Sequence, residues 1–382
     1  MNILLISPYF GPMVGGVETH LDDLCKFFKQ QKYTVFIRTY KAFGVRQRGP
    51  EVEKKRYINI HRLWWPDFDL IFKLEVYPVL KFFYLFPCLF IDCFLFLART
   101  HKAVDVVQAH GFIAALIAVV LGKIFNKRVV VNTHVGFKLN SGVMNKIIRW
   151  TLSNCDRVLV LTMGAKHSLV TLGIPEVKIE VYRYWVDQKI FSIQHNAKTK
   201  LGWESKFIVL FVGRLIEVKG VRLIVNLAKY LKGTTFVVIG DGPLRDELKV
   251  ASKEHSNMLF LGKAENNKLP IYYNASDVLL IPSKIIKQDY EEGIPRVMIE
   301  ALSCGLPVVS TRSGGIPEIL NEQIGRLADD RIDSMKKAIE TLYKDRRLLR
   351  SISENCRKYA VNLFSVRNAR IIKNSLKKES SF

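Results

Sequence analysis

The sequence has few of the signatures that mark a metal site or a covalent nucleophile. None of its six cysteines forms a C-x-x-C pair, and we interpret them as small buried side chains in a reducing compartment. No group of histidines and cysteines has the spacing of zinc ligands. No G-x-S-x-G nucleophile elbow occurs either. Zinc chemistry and that class of hydrolase are therefore disfavoured.

Common nucleotide-binding fingerprints are also missing. There is no G-x-G-x-x-G dinucleotide motif, and there is no G-x-x-x-x-G-K-[ST] phosphate loop, so ATP hydrolysis is disfavoured. The triplet "DFD" at 67–69 resembles a D-x-D metal motif. It precedes an apolar stretch rather than following a buried strand, so we expect no metal there.

The composition is that of a globular protein. Neither a short-period repeat nor a low-complexity tract occurs, and residues 1–7 lack the basic start of a secretory signal. Hydrophobic residues make up 49% of the chain and charged residues 24%. A length of 382 residues is enough for two domains with separate cores. We expect a cytoplasmic protein.

Acidic residues are few relative to basic ones, with 35 aspartates and glutamates against 58 lysines and arginines. The formal net charge is +23, and the basic excess divides almost evenly before and after residue 190. A nucleic-acid-binding protein often concentrates its basic residues in one stripe or tail. An even excess fits better with anionic substrates or an anionic membrane surface, so we expect no nucleic-acid partner.

One segment is intensely apolar and aromatic. It reads "FFYLFPCLFIDCFLFLA", covers residues 82–98, carries Asp92 and is interrupted by Pro87. A membrane-spanning helix needs about 20 apolar residues. Three interpretations stay open: a transmembrane span, a helix packed within its own domain, or a helix lying in the membrane interface. The third would place the protein peripherally at the inner face of the cell membrane.

The first half of the chain alternates short β-branched runs with amphipathic stretches. This alternation predicts a parallel sheet covered by helices on both faces. Strands are predicted at 2–7, 34–39, 58–63, 105–110, 128–133 and 157–162. Helices are predicted at 17–31, 70–99, 111–125, 141–154 and 164–172.

The second half repeats the pattern and becomes helical and basic after residue 333. Strands are predicted at 207–213, 235–241, 258–262, 277–283 and 307–311, and helices at 219–231, 243–254, 268–275 and 296–304. The polar region 184–206 is the best candidate for a linker. The fold class is therefore α/β, with two Rossmann-like domains facing a central cleft. We divide the chain into residues 1–185, residues 186–360 and a C-terminal helix at 361–382.

Ligands of such sheets bind beyond the carboxyl ends of the strands, and a glycine pair follows the first strand. Gly15 and Gly16 in "GPMVGGVETHL" permit a tight turn and a close approach of backbone to a ligand. The helix N-terminus behind them attracts anions. A ligand loop and a plain turn both remain open for this pair.

Two cations follow a buried strand in "FVGRLIEVKG". Arg214 comes directly after the strand, and Lys219 precedes the next helix. Arginine grips two oxygens at once, whereas lysine supplies a compact charge, so together they suit a diphosphate. The alternative is a pair of solvated surface cations.

Two carboxylates frame a short helix in "EEGIPRVMIEALSCGLPVVSTRSGGIPE". Glu300 lies within a mostly apolar stretch, where it can accept hydrogen bonds from both hydroxyls of a ribose. Glu292 and Gly293 precede the helix, and the backbone amides up to Val297 suit a phosphate or a sugar. The alternative is a buried glutamate satisfied by local backbone.

Two histidines close predicted strands. His110 ends "DVVQAH" and His134 ends "VVVNTH". A ligand role and a structural hydrogen-bonding role are both open, with His134 the better ligand candidate.

Seven segments, taken in order, resemble glycosyltransferase family 4, the retaining nucleotide-sugar transferases of GT-B architecture. The resemblance covers most of the chain and includes the family's E-x7-E pattern, here Glu292 to Glu300. The segments are "GGVETHL", "DVVQAHG", "VVVNTHVG", "FVGRLIEVKG", "VVIGDGPLRDEL", "DVLLIPS" and "EGIPRVMIEALSCGLPVVSTRSGGIPEIL".

The resemblance implies roles in the second domain. Arg214 and Lys219 would hold the diphosphate of the donor, and Glu300 would bind the ribose hydroxyls. Glu292 would contact the transferred sugar. After the strand "KIEVY" at 178–182 the family has an Asn-Gly-Val-Asp turn, whereas this chain reads "RYWVD" at 183–187. The difference affects the local turn and leaves these residues unchanged.

In the first domain, the resemblance implies that Gly16 approaches the phosphates and that His134 lies near the sugar. It also implies retention of anomeric configuration without a protein nucleophile. The leaving diphosphate would help to deprotonate the acceptor on the same face, without a metal cofactor.

We therefore expect a hexosyltransferase that uses a nucleoside-diphosphate sugar and a glycan or lipid-linked glycan acceptor. A nucleotide-sugar epimerase of the same architecture is the alternative among enzymes. A non-catalytic basic binding protein is the alternative outside them.

Overall fold

The chain forms two compact units. One comprises Met1–Tyr182 and Arg367–Phe382, and the other comprises Arg183–Val366. The sequence pattern predicts these divisions after residues 185 and 360. The computed structural model describes residues 1–13, 15–41, 49–65, 74, 77–134, 142–253, 255–284 and 293–378.

The first unit contains an eight-stranded sheet. Its strands are β1 (Asn2–Ile6), β2 (Thr34–Tyr40), β3 (Val52–Lys55), β4 (Ile58–Leu63), β5 (Val106–His110), β6 (Arg128–Asn132), β7 (Arg157–Val160) and β8 (Ile179–Val181). Their spatial order is β3-β4-β2-β1-β5-β6-β7-β8, and within this sheet β3 alone pairs antiparallel, with β4. The order reverses between β1 and β5, where such sheets bind their ligands.

Helices cover the first sheet. They are α1 (Gly16–Gln30), α2 (Pro78–Thr100), α3 (Phe112–Ile124), α4 (Gly142–Ser153) and α5 (Met163–Thr171). Within the helix predicted at 70–99, the structure describes a helix from Pro78 to Thr100, and proline fits its first turn, where the missing N–H costs nothing. Residues 70–73, 75 and 76 of that prediction lie outside the described residues. Beneath α2, Leu85, Leu89 and Leu97 join the buried core.

The second unit contains a six-stranded, wholly parallel sheet. Its strands are β9 (Ile208–Val212), β10 (Thr235–Ile239), β11 (Met258–Gly262), β12 (Val278–Ile281), β13 (Val308–Thr311) and β14 (Gly325–Ala328). The spatial order is β11-β10-β9-β12-β13-β14, so the order reverses between β9 and β12. This is the strand order of a dinucleotide-binding Rossmann fold.

The remaining helices lie after residue 196, and all but the last of them belong to the second unit. They are α6 (Ala197–Leu201), α7 (Val221–Tyr230), α8 (Arg245–Ser252), α9 (Leu269–Asn274), α10 (Arg296–Ser303), α11 (Ile332–Lys344), α12 (Arg346–Leu363) and α13 (Ala369–Leu376). The last of these belongs to the first unit. There, Arg128 donates to the backbone carbonyl of Ser375 at 3.1 Å, and the Ser375 hydroxyl donates to Glu180 at 3.0 Å.

The prediction of a linker at 184–206 is wrong for the first part of that region. Trp185 and Phe191 are buried in the core of the second unit. Arg296 donates to the carbonyl of Trp185 at 3.2 Å, and Arg357 donates to the carbonyl of Phe191 at 2.8 Å. The segment is therefore a packed part of the second unit rather than a free connection.

All six cysteines are reduced, and five of them are buried. Burial raises the pKa of Cys155 to about 12, so this thiol stays protonated and unreactive. The prediction that the cysteines are small buried side chains is thus confirmed for all but Cys88, which is half-buried.

Candidate functional site

The two predicted diphosphate ligands lie beside the reversal point of the second sheet. Arg214 is exposed and follows β9 by two residues. Lys219 is half-buried and ends a short 3-10 helix, Glu217–Lys219, that leads into α7. Both cations therefore follow the strand that borders the reversal, at the edge where ligands bind in this fold.

Two glycines allow the loops at this edge of the sheet to approach each other closely through their backbones. Gly220 has φ +66°, and a Cβ there would lie 1.7 Å from the carbonyl oxygen of Pro282, which follows β12. Gly240 follows β10, and its Cβ would lie 1.9 Å from the carbonyl oxygen of Gly213. No side chain fits at either position, so three strand ends meet in backbone contact and fix the chain that carries Arg214.

Charged side chains connect the same loops across the reversal. The carboxylate of Glu217 accepts from Lys284 and from Arg222, and Arg222 also pairs with Glu247 at 2.6 Å. The backbone amide of Lys284 donates to the carbonyl of Val218 at 2.9 Å. These side chains are about half exposed, so the pairs contribute little stability and serve mainly to set loop geometry.

Glu300 is almost completely buried, with 1% of its surface exposed. The hydroxyl of Tyr273 donates to its Oε2 and the amide of Asn266 donates to its Oε1, both at 2.9 Å. Nε of Arg296 lies 3.3 Å from Oε1. Burial, and then the neighbouring carboxylate, raise the pKa of Tyr273, so its hydroxyl remains a donor.

Side chains, rather than local backbone, therefore hold this carboxylate. Each carboxylate oxygen of Glu300 accepts more than one hydrogen bond, so these contacts leave acceptor capacity for a ligand hydroxyl. The ribose role of Glu300 stays a prediction.

The start of α10 supplies the other predicted donor contacts. Gly293 and Val297 are half-buried, and Pro295 occupies the N-cap position without a side-chain capping hydrogen bond. The first-turn amides of a helix, that of Val297 among them, have no acceptor within it. Glu292 and the "DFD" triplet at 67–69 lie outside the described residues.

In the first unit, the predicted residues lie beside the reversal between β1 and β5. Gly15 precedes α1 and Gly16 opens it, directly after the loop that follows β1. His110 is the last residue of β5, and His134 follows the adjacent strand β6. The structure thus places all four residues at the carboxyl edge of one sheet.

The two histidines belong to a larger buried cluster. Nδ1 of His110 lies 3.0 Å from Nε2 of His134, and their rings stack at 13°. The ring of His20, on α1, meets His134 edge-on at 5.8 Å. Nε2 of His20 lies 3.4 Å from the hydroxyl of Tyr182. Burial lowers the pKa of His134 to about 4 and also lowers that of His110, so both are neutral at pH 7.

The residues that support these groups are not among those predicted from the sequence. His20 stands in the quoted "GGVETH" segment and Arg296 in "EGIPR", so both were visible as parts of motifs. Asn266 and Tyr273 carry no motif signal. Asn266 could have been proposed as a site residue only from its position, because it follows strand β11.

Two family models match the chain, one in each half. The model described as Glycosyltransferase Family 4 matches residues 14–189. The model described as Glycosyl transferases group 1 matches residues 194–359.

Curated relatives match over nearly the whole chain. An uncharacterized glycosyltransferase of Methanocaldococcus jannaschii is 25% identical, over 96% of this chain and 95% of its own length. The GPI3 subunit of the phosphatidylinositol N-acetylglucosaminyltransferase of Saccharomyces cerevisiae is 25% identical, over 89% of this chain and 75% of its own length.

Solved structures share the fold. Sucrose-phosphate synthase from Thermosynechococcus elongatus superposes with a TM-score of 0.81 at 20% identity, covering 98% of both chains. Anabaena HepE in complex with UDP superposes with a TM-score of 0.77 at 18% identity, covering 98% of this chain and 99% of that one. The chain is a GT-B glycosyltransferase and belongs to glycosyltransferase family 4, the group 1 glycosyltransferases.

Proposed function

We propose that the protein transfers a hexose from a nucleoside-diphosphate sugar to a glycan or lipid-linked glycan, with retention of anomeric configuration. The observation that carries the proposal is the position of Arg214 and Lys219 at the reversal point of a six-stranded parallel sheet. Anabaena HepE has been solved in complex with UDP and with UDP-glucose, which supports this donor class.

Arg214 and Lys219 suit the diphosphate of such a donor. The guanidinium of Arg214 can bind two phosphate oxygens in its plane, and the ammonium of Lys219 adds a compact charge. The helix α7 begins directly after Lys219 and Gly220, and its N-terminus adds partial positive charge.

Residues of α10 and the loop before it suit the nucleoside and the sugar. We assign the ribose hydroxyls to the Glu300 carboxylate and the transferred sugar to Glu292. The backbone amides near Gly293 and Val297 provide further donors for a phosphate or sugar oxygen.

The carboxyl edge of the first sheet offers complementary chemistry. Gly15 and Gly16 expose backbone at the N-terminus of the 15-residue helix α1, which suits an anion. His134 is neutral at pH 7, because burial lowers its pKa to about 4. A neutral imidazole can donate or accept one hydrogen bond, which suits a sugar hydroxyl.

The chemistry follows from charge that grows on the leaving diphosphate. Cations already in place around that group stabilise it more in the transition state than in the ground state, and one preorganised donor contributes about 3–4 kcal/mol. The departing phosphate oxygen then takes the proton of the attacking hydroxyl on the same face, which retains configuration. The scheme needs no metal ion, so activity should survive EDTA.

The test is a thermal-shift screen against UDP, GDP, ADP, CMP and their common sugar conjugates. A ligand at 100 times its Kd stabilises the folded protein by about 2.7 kcal/mol. That should raise the Tm of a chain this size by about 1–2 °C or more. A shift with one nucleotide series supports the proposal and identifies the base, and radiolabelled sugar from that donor should then appear in an added acceptor. No shift with any of them would contradict the donor assignment.

A further inference from the structure

Helix α2 is apolar on both of its faces. Its inner stripe, which includes Leu85, Leu89 and Leu97, packs into the core of the first unit. Its outer stripe is also apolar and faces solvent, and only 22% of the most hydrophobic stretch of this helix is buried. The outer stripe consists of Leu80, Phe83, Pro87, Ile91, Phe94, Leu95 and Ala98.

An outer stripe of this kind is unusual for a globular protein. A helix on a water-exposed surface ordinarily carries charged or polar residues opposite its core face. Here Phe83 is 67% exposed, Ile91 55% and Leu95 46%. From Leu80 to Ala98 the stripe extends about 27 Å at 1.5 Å per residue. Contiguous apolar surface on that scale marks an interaction site.

Helix α2 is long and apolar enough to cross a membrane by composition, but its packing opposes a span. Its inner stripe is part of the sheet's core, and the carboxylate of Asp92 pairs with Arg38 and with His61, both at 3.1 Å. If α2 spanned a membrane, its inner stripe would no longer cover the sheet, and the paired charges of Asp92 and Arg38 would be exposed to lipid. The helix is therefore held along the surface of the unit.

A second helix continues the apolar surface. On α4, Val143, Ile147 and Trp150 recur at helical spacing and are 73%, 37% and 44% exposed. Helix α3 joins the two stripes at its C-terminal end. There the ring of Phe125 packs 5.7 Å from Phe94 on α2, and Lys123 lies 5.0 Å from the ring of Trp150.

The charged residues of this stretch of the chain are predominantly basic. Between residues 77 and 155 the only acidic residues are Asp92, which is paired, and Asp105. Several cations are exposed beside the apolar stripes: Arg99, Lys102, Lys123, Lys146 and Arg149. Apolar side chains flanked by exposed lysine and arginine are typical of a surface that lies in a membrane interface.

We propose that this surface, the outer stripe of α2 with Val143, Ile147 and Trp150 of α4, docks the protein on an anionic lipid bilayer. It is called the apolar face below. Its side chains would enter the headgroup region while the cations contact anionic headgroups. A second copy of this chain is a poor occupant, because pairing two apolar faces would bring like charges together. Docking through the apolar face does not depend on the proposed donor chemistry.

The experiment is co-flotation of the full-length protein with vesicles of phosphatidylcholine alone or with phosphatidylglycerol. No nucleotide is needed, so its outcome is separate from that of the donor screen. We expect binding to the anionic vesicles that weakens as salt increases. Replacing three exposed side chains, Phe83→Ser, Ile91→Ser and Leu95→Ser, should weaken that binding by about tenfold or more.

Matched controls distinguish binding through the apolar face from nonspecific binding to vesicles. Val177 is 76% exposed in the same unit but lies outside the apolar face, so Val177→Ser should bind as wild type does. Likewise, Lys146→Glu with Arg149→Glu should weaken binding to anionic vesicles. Lys29→Glu with Lys32→Glu, at the end of α1, should have a much smaller effect.

Three results would overturn the proposal. The wild-type protein could fail to float with anionic vesicles. The triple serine variant could bind as tightly as wild type while keeping its Tm. Sedimentation could show a dimer that the triple variant abolishes, with no vesicle binding, which would make the apolar face a contact between copies.

Discussion

Nε of Arg296 lies 3.3 Å from Oε1 of Glu300, one turn along α10, and both side chains are almost fully buried. Arg296 also donates to the carbonyl of Trp185 at 3.2 Å. Removing one member of a buried ion pair leaves the other charge uncompensated. We therefore expect Arg296→Met to lower the free energy of unfolding by about 3 kcal/mol, measured by urea denaturation of the full chain.

An exposed pair of the same spacing provides the control. Lys336 lies 4.0 Å from Glu340 on α11, and both side chains are about one-third exposed. Lys336→Met should cost less than about 1 kcal/mol. Adding Glu300→Gln to Arg296→Met should recover part of the loss, because it removes the uncompensated charge. Equal costs for Arg296→Met and Lys336→Met would contradict the prediction.

Glu300→Gln by itself tests the ribose assignment. Glutamine keeps the shape of the side chain but offers one acceptor oxygen instead of two. We expect the Kd for the nucleoside diphosphate to increase while kcat at saturating donor changes less, measured by calorimetry and steady-state kinetics. An unchanged Kd would remove the ribose role and leave Glu300 as the structural partner of Tyr273 and Asn266.

Arg214→Ala and Lys219→Ala test the diphosphate assignment. Each removes a cation from the edge of the sheet where the leaving group would carry its charge. We expect kcat/KM to fall by about tenfold or more for each variant, with an unchanged Tm. Lys232→Ala is the matched control, because this exposed cation precedes β10 at the opposite edge of the same sheet. Near-normal rates in both site variants would refute the assignment.

Gly220→Ala tests the contact between the loops that follow β9 and β12. A methyl group there would lie 1.7 Å from the carbonyl oxygen of Pro282, so the loops must separate. Gly202 has nearly the same backbone, φ +65° against +66°, with open space around its Cβ position. Both substitutions incur the left-handed backbone cost of about 1–2 kcal/mol. Only Gly220→Ala should also abolish the Tm shift given by donor nucleotide.

The parallel strands were the most predictable part of the fold. Runs such as "FIVLFVG" and "TFVVIGD" are buried on both faces of the sheet, so nearly every position is apolar. Two short strands were missed, namely β3 (VEKK) and β14 (GRLA). They contain charge or glycine, and pairing with a neighbouring strand rather than their own propensity makes them strands.

The candidate site was predictable only where it coincides with a motif. Arg214 and Lys219 follow a recognisable strand, so their edge of the sheet could be inferred. The burial of Glu300 could not be inferred, because its partners Asn266 and Tyr273 are brought to it by the fold. The exposure of α2 was equally hidden: every face of that helix is apolar, so the pattern does not show which one the core covers.

The buried histidines should make the free energy of unfolding depend on pH. Burial lowers the pKa of His134 from 6.5 to about 4. Between those values the unfolded chain takes up a proton that the folded unit does not, so the free energy of unfolding falls as the pH falls. From pH 7.5 to pH 5 the loss from His134 should be about 2 kcal/mol, and His110 adds to it in the same direction. Urea denaturation at both pH values measures this loss.

His134→Asn should flatten this dependence, whereas His167→Asn, which removes an exposed histidine of the same unit, should leave it as in wild type. Parallel pH profiles for wild type and His134→Asn would show that burial does not hold His134 neutral.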